Sequence, residues 1–152
     1  MKRLEEEIKQ KNFKNDYHKL IVNIFFTNNW LHEKQDQIFE RFDITAQQYN
    51  LLRILRGQYP NPSTINLLIE RMLNKMCDAS RLVEKLRLKK LVERVQCQED
   101  KRACNVLITD SGLHLLEDIE PLMEEIFSKI ATTVSKEEAQ QVNYLLDKIR
   151  NI

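Results

Sequence analysis

Apolar residues recur at helical spacing along most of this chain, and the period breaks once, between residues 91 and 109. From about His18 to Phe42 the positions Leu20, Ile21, Ile24, Phe25, Leu31, Ile38 and Phe39 share one face, with Trp30 nearby. Thr45-Ala46-Gln47-Gln48 has the form of a capping box. The helix it starts turns Tyr49, Leu52 and Leu55 inward and stops near Gly57, read as a left-handed terminator. Pro60 and Pro62 predict an extended connection, after which Ser63 caps a short helix through Arg71 with Ile65, Leu68 and Ile69 buried. Leu73-Asn74 reads as a turn, Asn74 tolerating the left-handed conformation or capping the next helix. The next stripe is Ala79, Leu82, Val83 and Leu86, with Lys75, Asp78, Arg81 and Lys85 on the other side.

The period then changes. Leu91 to Cys97 and Cys104 to Thr109 read as strands, and the loop between them places Lys101 and Arg102 at a hairpin tip. Thr109 or Asp110 opens a long helix through Leu113, Leu116, Ile119, Met123, Ile126, Phe127 and Ile130, which Pro121 is expected to bend or break. Ser135-Lys136-Glu137-Glu138 is a second capping box, starting a last helix with Ala139, Val142, Leu145, Leu146 and Ile149 on one side.

A polar-faced helix followed by a basic hairpin is the arrangement of a winged helix-turn-helix. The expected fold is mainly α (α+β), with residues 43–109 as the DNA-binding region. Residues 1–42 and 110–152 form a helical dimerisation region, all within one compact domain. The first long helix shows more apolar surface than a small domain leaves to water, so a second subunit is expected to cover part of it.

Composition narrows the class. At 152 residues, 42% hydrophobic and 31% charged, the chain has the size of one domain with a real core, and two glycines with three prolines suit a helical protein. The first twenty residues are too charged for a secretory segment. The least polar run, Leu20 to Leu31, is interrupted by Asn23, Asn28 and Asn29, so no membrane span is expected. Three cysteines argue against a disulfide framework and for a reducing, cytoplasmic setting. There is no phosphate-cradling glycine loop, nucleophile elbow or paired-carboxylate site. His18, His32 and His114 are too scattered for a closed zinc site, so neither an enzyme nor a cofactor is expected.

The net charge of +1 conceals an asymmetry. Residues 63–109 hold ten lysines and arginines against six carboxylates, and residues 110–152 hold four against nine. Positive charge gathers where duplex DNA would be met. Lys75, Lys85 and Lys89 are candidates for neutralising phosphates, a sequence-blind contribution. Cys77, Asp78, Ser80 and Arg81 are candidates for reading base edges. Arg81 has the donor fork for guanine and Asp78 the acceptor for cytosine; the alternative for both is a solvated face with an i, i+3 ion pair.

Several stretches together resemble the multiple antibiotic resistance regulator (MarR) family. They are Ile44-Thr45-Ala46-Gln47-Gln48-Tyr49, Ser80-Arg81-Leu82-Val83-Glu84-Lys85-Leu86, Leu91-Val92-Glu93-Arg94, the wing motif Asp100-Lys101-Arg102, and Leu107-Ile108-Thr109 with Gly112. The resemblance spans roughly residues 18 to 150. It implies a triangular homodimer with intertwined terminal helices, acting on duplex DNA at a pseudo-palindrome, more as a repressor than an activator. Arg102 matches the wing arginine that enters the minor groove, and Asp100 matches the residue that orients it. The family often binds small aromatic effectors between the dimerisation helices and the winged helix, where Trp30, Tyr49 and Phe42 are candidates. The chain departs from the family at Lys89-Lys90-Leu91, where a glycine usually provides a positive φ; a lysine there costs about 1–2 kcal/mol.

Two rival readings remain. One is a winged helix reduced to a protein-interaction module without DNA binding. The other is a thiol-based sensor, with Cys97 and Cys104 flanking the hairpin loop and Cys77 on the DNA face.

Overall fold

The computed structural model describes residues 2–96 and 104–151. In chain order the elements are α1 (Leu4–Glu7), α2 (Asp16–Phe39), α3 (Ala46–Arg56), α4 (Ile65–Arg71), α5 (Ala79–Leu88), β1 (Val92–Gln96), β2 (Cys104–Ile108), α6 (Asp110–Ala131) and α7 (Lys136–Ile149). A 3₁₀ turn, Glu40–Phe42, continues α2. The fold is mainly helical with one small antiparallel sheet, as the change of period predicts.

Local chemistry sets most boundaries. Asn15 caps α2 by accepting from the His18 amide at 2.9 Å, so the helix begins at Asp16, two residues before the expected start. Both capping boxes form. The Gln48 amide donates to the Thr45 hydroxyl and the Gln48 side chain reaches back to the Thr45 amide, a pattern repeated by Glu138 with Ser135. Tyr49, Leu52 and Leu55 are buried as expected, and Leu51 joins them because α3 is enclosed between α2, α6 and β2.

Three expectations are corrected. Gly57 ends α3 with φ of −67°, so it is not a left-handed terminator. Ser63 does not cap α4. Its backbone exchanges two 2.8 Å hydrogen bonds with Val106, extending the hairpin by a third short edge, while the next hydroxyl, Thr64, caps the helix. Of the residues expected inside α4, Leu68 is fully buried, Ile65 is half-buried and Ile69 is exposed. Ahead of α2, α1 buries Leu4 and pairs Glu5 with Lys19 of α2.

Pro121 removes one amide from α6, yet the helix runs on unbroken. Leu116, Ile119 and Met123 are all buried on its inner face, and their packing outweighs the lost bond. The core joins α3, α5, both strands and the inner faces of α2 and α6 around Phe39, Leu52, Leu86, Val106 and Ile119. α7 stands apart, with no buried residue.

Candidate nucleic-acid interface

The helix-turn-helix is α4, the turn Met72–Asp78 and α5. Two asparagines shape the turn: the Asn50 side chain accepts from the Leu73 amide and the Asn74 side chain from the Met76 amide, both at 3.0 Å. Asn74 therefore makes a local side-chain turn, neither left-handed nor a helix cap. Asp78 takes the cap, accepting from the Arg81 amide at 3.0 Å. Its carboxylate is engaged in starting α5, which counts against both the cytosine contact and the Asp78–Arg81 side-chain pair.

Because α5 starts at Ala79, Lys75 and Cys77 lie in the turn and not on the helix. The Lys75 ammonium donates to the Glu70 carbonyl. Cys77 is half-buried against the core, so its expected place on the outer face is corrected. Ser80, Arg81 and Lys85 are exposed on α5 while Ala79, Leu82, Val83 and Leu86 are buried beneath them. The inner stripe thus fixes which residues face outward. Asp100, Lys101, Arg102 and Cys97 lie outside the described residues. Across the hairpin, Cys104 pairs with Gln96.

Three contacts that the sequence did not reveal brace α5. Arg87 grips the Glu84 carboxylate through two bonds of 2.8 and 3.0 Å, and Arg94 of β1 approaches the same group at 3.8 Å. Arg87 first, and Arg94 after it, hold the Glu84 carboxyl below the usual carboxylate range. Lys89 pairs with the exposed Asp43 carboxylate at 2.9 Å, so its charge is partly satisfied.

At the end of α5, in Lys89-Lys90-Leu91, a lysine takes the conformation that glycine usually supplies. Lys90 has φ of 61°, and bonds from Lys90 N to Arg87 O (2.9 Å) and from Leu91 N to Leu86 O (3.0 Å) complete a Schellman motif. The left-handed state costs a lysine about 1–2 kcal/mol. Glycine would remove that cost and return about 0.4–1 kcal/mol in unfolded-chain entropy. Lys90→Gly is therefore expected to stabilise the fold by about 0.5–1 kcal/mol, raising Tm by roughly 2–3 °C in a thermal melt. An unchanged or lowered Tm would contradict this account of the junction.

A crevice of about 880 Å³ lies between α2 and α6 on one side and α3 with the turn on the other. Tyr49, Phe39 and Phe127 supply aromatic surface, and Arg53, His32 and Lys75 are its titratable lining residues besides Tyr49. No carboxylate lines it among the described residues. Arg53 bonds the Tyr49 hydroxyl at 3.2 Å, and the Tyr49 and Phe39 rings lie 4.6 Å apart. Of the three aromatic residues expected there, Tyr49 is present; Trp30 and Phe42 are not.

Comparison with known proteins bears on this arrangement. The transcription factor MarR from Planctomyces limnophilus superposes with a TM-score of 0.67 at 26% identity, covering 90% of this chain and 98% of that one. S. aureus MepR, in its complex with DNA, superposes with a TM-score of 0.75 at 26% identity over 86% of this chain and 93% of its own. The chain resembles MarR-family regulators in fold and in sequence. A further relative is the HTH-type transcriptional repressor IacR of Pseudomonas putida. It is 20% identical over 117 residues, covering 77% of this chain and 69% of IacR. No family model matches the sequence.

Proposed function

We propose that this chain is a homodimeric, non-catalytic MarR-family repressor that binds a pseudo-palindromic duplex and is released by a small aromatic anion. The observation that carries the reading is the outer face of α5, where Ser80, Arg81 and Lys85 are exposed above a packed stripe on a capped and braced helix. Such a helix enters a major groove with its readers pre-ordered, and Arg81 has the fork for a guanine edge. The dimer is supported by two uncovered apolar faces. Tyr17, Ile21 and Phe25 on α2, and Val142 and Leu145 on α7, are each 46% exposed or more. Two copies pairing these faces would set half-sites about one helical turn apart. Release by an aromatic anion is supported by the crevice, whose rings accept a planar molecule and whose cationic and amide groups favour a carboxylate or phenolate.

The test is retardation of duplex fragments selected from random genomic DNA. Binding should weaken with salt on a log-log slope of roughly −4 or steeper, as several phosphates per dimer are neutralised. Arg81→Ala should relax preference at one base pair per half-site, removing roughly 1–3 kcal/mol of discrimination there. A protein that prefers no duplex over heparin would be an interaction module. An unaltered sequence profile in Arg81→Ala would take that residue out of the readout.

A further inference from the structure

Met76 is 93% exposed, the most exposed of the large apolar side chains described, although it sits in the hydrogen-bonded turn of the helix-turn-helix. A flexible thioether fully in water normally marks a loose loop. Here the backbone is fixed: its amide donates to Asn74 at 3.0 Å, the following Cys77 packs inward, and Asp78 immediately caps α5. Nothing among the described residues covers the side chain.

The surroundings indicate what does. From Lys75 to Lys90 the chain holds six lysines and arginines against two carboxylates. Both carboxylates are occupied, Asp78 by the helix cap and Glu84 by Arg87 and Arg94. A surface with this excess of positive charge fits a polyanion better than the apolar core of a protein interface. Within a duplex, the apolar feature available in the major groove is the thymine C5-methyl, beside the N-terminal end of the recognition helix.

We infer that Met76 reads a thymine by packing its thioether on the C5-methyl group, a specificity contact beside those of Ser80 and Arg81. This rests on the DNA-binding reading. Burying about one methyl per half-site is worth roughly a fourfold change in affinity, and about fifteenfold when both half-sites are altered.

The experiment uses the full chain and the highest-affinity duplex recovered from a randomised pool. Each symmetry-related thymine pair is replaced in turn by deoxyuridine, which keeps the pairing edges and removes only the methyl. Binding is measured for the native chain, Met76→Ala and Met76→Leu in a double-mutant cycle. The expected result is one thymine pair whose replacement weakens the native chain and Met76→Leu by roughly fifteenfold and leaves Met76→Ala unchanged. Equal uracil penalties in all three proteins at every position, or none at all, would overturn the assignment. A native chain with no preferred duplex would remove the regulator reading and the methyl contact together. Because Met76 is exposed, unchanged thermal melts should accompany both variants, separating a lost contact from lost folding.

Discussion

Gly112→Ala is expected to be the most destabilising single-methyl change in the described chain. A Cβ at this position would lie 2.3 Å from the Leu91 carbonyl oxygen and 2.7 Å from Ile108 Cγ1. Neither obstacle can swing aside easily. The Leu91 carbonyl already accepts from the Thr109 amide at 3.2 Å, and Ile108 is 2% exposed, paired with Val92 across the hairpin. The Thr109 hydroxyl accepts from Gly112 N and donates to the Lys90 carbonyl, so one displacement disturbs the start of α6 and the end of α5 together. Overpacking of this kind costs about 1–3 kcal/mol, and the backbone oxygen puts this site at or above the upper end. A fall in Tm of roughly 6–12 °C is expected at fixed protein concentration. Gly112→Ala with a native melting profile would mean that α6 does not approach Leu91 as closely as described.

The second large effect is expected in assembly. Leu145 lies 46% exposed on α7, which buries no residue within its own chain, so Leu145→Glu should leave the protomer folded. In a two-fold interface the substitution enters twice. Placing two carboxylates against apolar surface costs on the order of 2 kcal/mol each, raising the dimer dissociation constant roughly thousandfold. Sedimentation equilibrium at micromolar concentration should find monomer, with specific duplex binding reduced at least about a hundredfold because each half-site is then held alone. Retention of a full-strength dimer would show that α7 is not part of the proposed interface.

The sequence revealed helices wherever one face is buried and a cap lies beside the first turn, because both signals are local. Thr45, Ser135 and Thr109 cap the helices expected of them. The junction at Lys90 was legible only as a departure: the resemblance marked a missing glycine, and the structure shows that Lys90 itself takes the positive φ. Errors arose where the deciding partner is distant or where neighbours compete. Ser63 and Thr64 are equally plausible caps in the sequence; the pairing of Ser63 with Val106 decides between them, and strand pairing between distant segments leaves no periodic trace. Asp78 met two demands with one carboxylate, and the helix cap used it. Lys89 looked free because Asp43 is far away in the chain. The crevice was only partly legible, since its walls come from four elements and only Tyr49 among the expected aromatics faces it. The candidate readers Ser80, Arg81 and Lys85 stay outward on α5, while Asp100, Lys101 and Arg102 lie outside the described residues.

The turn between α4 and α5 has two neighbours. Leu73, Asn74 and Lys75 form part of the crevice wall, and the next residue, Met76, points to solvent beside the recognition helix. A molecule that fills the crevice and shifts this short segment changes the energy of placing α5 in a groove. Thermodynamics makes that exchange mutual: if an effector weakens operator binding tenfold, the operator weakens effector binding tenfold. Titrating the effector with and without saturating duplex should therefore return the same factor from either direction, and the proteins already seated on DNA will be the least sensitive to the signal.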